Sequence, residues 1–95
     1  MISLKRQVPL HLLPENALQV KVVSIDRLIW KGEATSVSSV NSKGQFDILG
    51  QHQNFLTILE NVPIIVRTRE ADKKFEFARS IIYVLHNRVS IFVDL

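Results

Sequence analysis

Cysteine is absent from the 95-residue sequence, and glycine and proline occur only three times each. Without cysteine there is no disulfide framework, no thiolate zinc site and no thiol nucleophile. The three glycines, Gly32, Gly44 and Gly50, cannot write either phosphate-cradling pattern, GxxxxGK[ST] or GxGxxG. Long apolar runs are also missing: Ile81–Leu85 falls far short of the roughly 18 residues that span a bilayer. Nor is there a block of like charge. Lys and Arg outnumber Asp and Glu by 12 to 9, giving +3, and the basic residues are scattered along the chain as they are on any solvated surface. What is present is the material of a core. The chain is 46% apolar and 22% charged, ordinary globular usage, at a length that holds one domain.

Residues 1–17 differ from the rest and carry two of the three prolines. Pro9, His11 and Pro14 interrupt any signal-peptide apolar region, so this segment reads as an extended, uncleaved arm. Its Val8, Leu10, Leu12 and Leu13 are expected to pack on the domain or on a partner.

From residue 18 to 95 the signal is strand. Leu18, Val20 and Val22 alternate with polar residues, and Asp26-Arg27 turns the chain before Leu28 and Trp30 share a face. Gly32 marks a bulge or a close approach. Ala34–Val40 is rich in β-branched and small polar residues and ends at the turn Asn41-Ser42-Lys43-Gly44. Gln45–Leu49, Phe55–Leu59, Ile64–Arg69, Lys74–Ala78, Ile81–Leu85 and Val89–Val93 follow, broken at Asn61-Val62-Pro63, Glu70–Lys73 and His86-Asn87-Arg88. No segment has a helical period. The rhythm predicts an all-β domain, an antiparallel β-sandwich or flattened barrel of about 8–10 short strands. Val20, Val22, Trp30, Phe77, Ile91 and Val93 are its expected core.

Catalytic chemistry finds no foothold. His11, His52 and His86 stand at no metal-ligand spacing, no GxSxG elbow accompanies the serines, and Glu33, Asp47 and Glu60 form no recognisable dyad. The sequence therefore predicts no catalytic residue, no metal, no cofactor and no enzyme activity. One binding motif has more substance: Phe75 and Phe77 share a strand face beside Lys73 and Arg79, as in the stacking platforms of oligonucleotide-binding barrels. Paired phenylalanines on one face of a small β protein are more often core.

The strings LQVKVVS at 18–24, WKGEATSV at 30–37, GQFDILGQH at 44–52 and LTIL at 56–59 occur in an order that resembles the N-terminal β-sandwich of the F-type ATP synthase epsilon subunit. That family has an opening strand of this kind, a W/F-x-G-E-A/V turn and a segment ending in Pro-Gly/Asn-His before an apolar L-T strand. Strands like Ala78–Leu85 and Arg88–Asp94 close it. The sequence departs from the pattern in lacking the Pro, in Asp47 where Gly is usual, and in Arg79-Ser80 where Gly-Gly is usual. The resemblance implies a non-catalytic rotor subunit that docks on the gamma subunit and the c-ring. It implies c-ring contact at Lys43, Gly44, Gln45 and Phe46, and gamma contact at His52. No nucleic-acid partner and no membrane insertion are implied; the place would be peripheral, at the cytoplasmic face of a bacterial membrane or its organellar equivalent. The family's C-terminal helical hairpin has no counterpart before Leu95, so coupling without inhibition is the expectation. The competing expectations are a small oligonucleotide-binding barrel, or an assembly adaptor that keeps the sandwich.

Overall fold

A computed structural model describes residues 16–51 and 54–95; the expected arm over 1–17 lies outside them up to residue 15. Among the described residues seven strands follow one another: β1 (Leu18–Val23), β2 (Leu28–Ala34), β3 (Ser36–Asn41), β4 (Gly44–Leu49), β5 (Phe55–Arg67), β6 (Asp72–Leu85) and β7 (Arg88–Val93). They form one sheet in the order β2-β1-β7-β6-β5-β3-β4. The all-β expectation holds. Two of its details need correction. The sheet is mixed, because β1 runs parallel to β7. And the strands are fewer, because β5 and β6 are continuous over 13 and 14 residues.

The apparent break at Asn61-Val62-Pro63 is a bend inside β5. Asn61 adopts a φ of 55°, in the left-handed region that Asn tolerates better than most residues. Its neighbours stay paired with β6 in an unshifted register, from Phe55↔Val84 to Arg67↔Asp72. What changes is the phase of burial. Thr57 and Leu59 point inward before the bend, Ile64 and Val66 after it; on β6, Phe75 and Phe77 give way to Ser80, Ile82 and Val84. A phase change on each strand looks like two short strands in sequence, although the pairing skips only Asn61 and resumes in the same register. Pro63 fits because it lies just beyond the β3 ladder, which ends at Ser38↔Ile65; its carbonyl accepts from Ser39 Oγ at 2.7 Å.

The bend folds the sheet onto itself in two layers. The first holds β2, β1, β7, the second half of β6 and the first half of β5. The second holds the remaining halves with β3 and β4. Thr35 makes the corner between them, its N–H and Oγ1 both donating to the Arg67 carbonyl at 2.8 and 3.1 Å. Between the layers, Leu18, Val20, Val22, Val37, Ile48, Leu59, Ile64, Val66, Ile82, Val84, Val89, Ile91 and Val93 are at most 1% exposed. Each such side chain contributes roughly 1.5–3 kcal/mol by leaving water. Of the six expected core residues, Val20, Val22, Ile91 and Val93 sit here. Trp30 and Phe77 are only partly buried, packed against the margin. For Trp30 the reason is topological: β2 is an edge strand with a neighbour on one side only.

Aromatic pairs close the two open sides. Along one seam the Trp30 and Phe75 ring centroids are 6.2 Å apart, joining β2 to β6. The indole folds over Gly32, where an added Cβ would lie 2.6 Å from its Cζ2, so Gly32 marks a close approach. Lys73 Nζ stands 5.8 Å from the same ring. Along the other seam Phe46 and Phe55 are 5.4 Å apart, joining β4 to β5.

Candidate functional site

The β3–β4 hairpin closes through Ser42-Lys43, with Asn41 opposite Gly44. Asn41 holds it from both ends of one side chain. Its Oδ1 accepts the Lys43 N–H at 2.9 Å, and its Nδ2 donates to Thr57 Oγ1 of β5 at 3.1 Å. Gly44 has a φ of +117°, a backbone region that glycine enters without steric cost. The tip is thereby fixed while Lys43, Gly44 and Gln45 stay exposed. The four contact candidates at 43–46 are therefore divided. Three form a presented surface, and Phe46 turns inward to Phe55 as their anchor.

The fifth candidate, His52, lies outside the described residues. Its described neighbours are firmly tied. The backbone of Asn16 passes so close to Gly50 that a Cβ there would collide with it. Gln51 N–H donates to Asn87 Oδ1 at 2.7 Å, and the Asn87 carbonyl accepts Gln19 N–H at 2.8 Å. Asn87 and His86 have φ of 62° and 50°, the pair of left-handed residues that a two-residue hairpin turn of this hand requires. The Lys43 tip and the Gly50-Gln51 corner stand at opposite ends of β4, a strand of six residues and roughly 17 Å at the rise of a strand.

Other candidates disperse. Phe75 and Phe77 face the core margin, so they offer no stacking platform. Among the described residues no three of His, Cys, Asp and Glu gather as metal ligands. Arg67 donates to Ser38 Oγ at 2.8 Å, and that hydroxyl donates to the Asp47 carboxylate, with Asp72 3.9 Å from the Arg67 Nε. This chain of charges is exposed, where such pairs are worth no more than about 1 kcal/mol. What this end of the sheet presents is an exposed hairpin tip held by Asn41 and Phe46 against β5.

Sequence reasoning missed three things: the double role of Asn41, the tie at Asn87, and the strap of Asn16 over Gly50. A side chain that bridges strands distant in sequence leaves no periodic mark. It also passed over the apolar outer side of β5. There the signal was present, since Phe55-Leu56-Thr57-Ile58-Leu59 is apolar on both faces.

Residues 17–95 match the family model described as the ATP synthase Delta/Epsilon chain beta-sandwich domain. The chain is similar to the ATP synthase epsilon chain of Streptomyces griseus, 40% identical over 53 residues, which are 56% of this chain and 43% of that one. It is also similar to the ATP synthase epsilon chain of Endomicrobium trichonymphae, 27% identical over 79 residues, 83% of this chain and 57% of the relative. The chain thus spans about half the length of the curated relatives it matches. Among solved structures, one of the Euglena gracilis mitochondrial ATP synthase (OSCP/F1/c-ring) contains a chain with the same fold. The TM-score is 0.74 at 13% identity, covering 85% of this chain and 52% of that one.

Proposed function

Since the chain belongs to the ATP synthase Delta/Epsilon beta-sandwich family, we propose that it is a non-catalytic central-stalk subunit of an F-type ATP synthase. In this reading it docks on the gamma subunit and on the c-ring, and couples ion-driven rotation to ATP synthesis. Its place is peripheral, on the side of the membrane that carries the catalytic head. The Lys43-Gly44-Gln45 tip meets the c-ring and the loop of His52 meets gamma.

The observation that carries this reading is the β3–β4 hairpin. It is fixed through Asn41 and Phe46 yet exposes the residues that the family resemblance assigns to a partner. Torque cannot pass through a contact that yields, and close-packed interiors deform little. A tip tied to Thr57 and Phe55 passes force straight into the core. The test is reconstitution of an F-type ATP synthase with this chain as its epsilon component, against the same enzyme without it. Pumping per ATP hydrolysed should rise when the chain is added. With Lys43→Glu, Gln45→Ala and His52→Ala combined, recovery of gamma and c-ring in a pull-down should fall. Undiminished recovery would place the contacts elsewhere on the sandwich.

A further inference from the structure

The outer side of the first layer carries a graded row of side chains. The pairings Lys31↔Lys21, Lys21↔Ser90, Ser90↔Tyr83 and Tyr83↔Leu56 set these residues side by side from β2 through β1, β7 and β6 to β5. One end of the row is cationic and the other apolar. The row beside it repeats the grading with Arg88 and Leu85, while Phe92, Ile81 and Ile58 on its other side are apolar throughout. Leu56 is 62% exposed, Ile58 58% and Tyr83 39%, and contiguous apolar surface of this kind is normally covered. At the cationic end Lys21 stands directly opposite Lys31, a placement of like charges that costs stability. Among the described residues neither lysine nor Arg88 forms an ion pair. Glu33, at the margin of that end, accepts instead from the Gln19 amide at 3.5 Å. With Gln19 and Ser90 the three cations line a shallow cavity of about 340 Å³.

We propose that this row docks a linear segment of a partner protein, with carboxylates at one end of the segment and apolar side chains at the other. Charge complementarity selects the first half. Carboxylates over Lys21, Lys31 and Arg88 relieve the repulsion between the lysines and supply acceptors for charge-assisted hydrogen bonds. The apolar half follows from the same row, because Tyr83, Leu56 and their neighbours lose water only beneath apolar side chains. The row also sets the length. Four strand intervals of about 4.8 Å make about 19 Å, which an extended chain covers in about six residues. Since β1, β7 and β6 each lie between two neighbours, their backbone groups are taken up by the sheet. Side chains therefore carry the recognition, and the order of residue types along the segment decides it. A nucleic acid would satisfy the cations and leave Leu56 and Ile58 in water. None of these residues belongs to the tip at 43–46 or to the His52 loop, so the surface is separate from the contacts proposed above.

The test uses the full chain, isotope-labelled for NMR, and three synthetic peptides. One has a block of glutamates, two serines, then leucine and phenylalanine; the second holds the same residues in alternation; the third replaces glutamate by lysine. The block peptide should shift the amides of Lys31, Lys21, Ser90, Tyr83 and Leu56 together. It should bind about tenfold more tightly than the alternating peptide, the gain that two or three exposed ion pairs supply. The lysine peptide should bind more weakly still. Lys21→Glu with Lys31→Glu should invert the preference, so that the lysine peptide binds better, and Lys31→Glu alone on the edge strand should narrow it. Equal affinity for the block and alternating peptides, shifts outside the row, no binding at millimolar peptide, or a preference that either variant leaves unchanged would overturn the proposal. So would self-association of the free chain that Leu56→Ser abolishes, since a second copy would then be the occupant. Flotation with phosphatidylglycerol vesicles that the lysine reversal abolishes would make a lipid surface the occupant and equally overturn it. None of these measurements involves a rotor subunit, so failure here leaves the stalk reading standing.

Discussion

The two seams of the folded sheet solve one problem with different materials. Both must join a strand of one layer to a strand of the other without a backbone ladder, and both do so with an aromatic pair. At Trp30–Phe75 the larger ring packs over Gly32 with the Lys73 ammonium 5.8 Å from it, and the seam belongs to the body of the domain. At Phe46–Phe55 the rings are smaller and a polar bond from Asn41 to Thr57 accompanies them. That seam ends at the exposed tip. The difference teaches that a closure can end within the body of the domain or at an exposed tip, depending on what lies one residue beyond the anchoring ring. Phe46 is followed in space by Gln45 and Lys43; Trp30 is followed by its own edge strand.

Breaking the first seam should have the largest effect. Trp30→Ala removes a large ring that is only partly buried, so the cost should be about 2–3 kcal/mol, below that of a fully buried tryptophan. In a domain of this size that lowers the melting temperature by roughly 10–20 °C. Gly32→Ala should act through the same ring, since its new Cβ takes the space of the indole. The double variant should therefore cost little more than Trp30→Ala alone. Thermal melts of the three variants decide it, and full additivity would show that Gly32 does not act through Trp30.

The second seam should be weaker and more separable. Phe46→Ala and Phe55→Ala should each cost about 1–2 kcal/mol, with a coupling of about 0.5–1.5 kcal/mol in a double-mutant cycle. Phe46→Ala should also loosen the tip, read as faster amide exchange at Lys43 and Gly44 relative to wild type. Exchange at Gly32 should stay as it was. If Phe46→Ala leaves tip exchange unchanged, Asn41 alone fixes the hairpin, and the comparison between seams loses its second half.

How far the sequence disclosed this arrangement depends on the kind of interaction. Alternation in Leu18–Val22 and Val89–Val93 states plainly which residues face inward, because burial of one face repeats every second residue. The hairpin turns at Ser42-Lys43 and His86-Asn87 were legible from their residue types. Turn chemistry misled at Asn61-Val62-Pro63, where a bend preserves pairing, and at Ala34, which completes β2 rather than opening β3. The parallel pairing of β1 with β7 joins strands from the two ends of the domain, and no local signal encodes it. For the candidate site, the family pattern supplied segment 43–46 as an expectation. Its division into presented and anchoring residues was not legible, because Phe46 meets Phe55 and Asn41 meets Thr57 only after the sheet has folded over.

The smallest expected effect on stability is at the tip itself, and there the contrast between seams becomes one between folding and docking. Lys43 and Gln45 are exposed, and the Lys43 backbone, not its ammonium group, makes the bond to Asn41. Lys43→Glu and Gln45→Ala should therefore leave stability within about 0.5 kcal/mol of wild type, as surface substitutions away from special backbone usually do. Removing a positive charge from a contact changes partner affinity even when it leaves the fold untouched. The sharpest form of the comparison sets Lys43→Glu beside Trp30→Ala in the same two assays. Lys43→Glu should melt like wild type and bind rotor subunits poorly. Trp30→Ala should melt early, yet bind normally at temperatures where it is still folded. If Lys43→Glu lowers the melting temperature while binding is kept, the tip is part of the scaffold and the docking surface lies on another side of the sandwich.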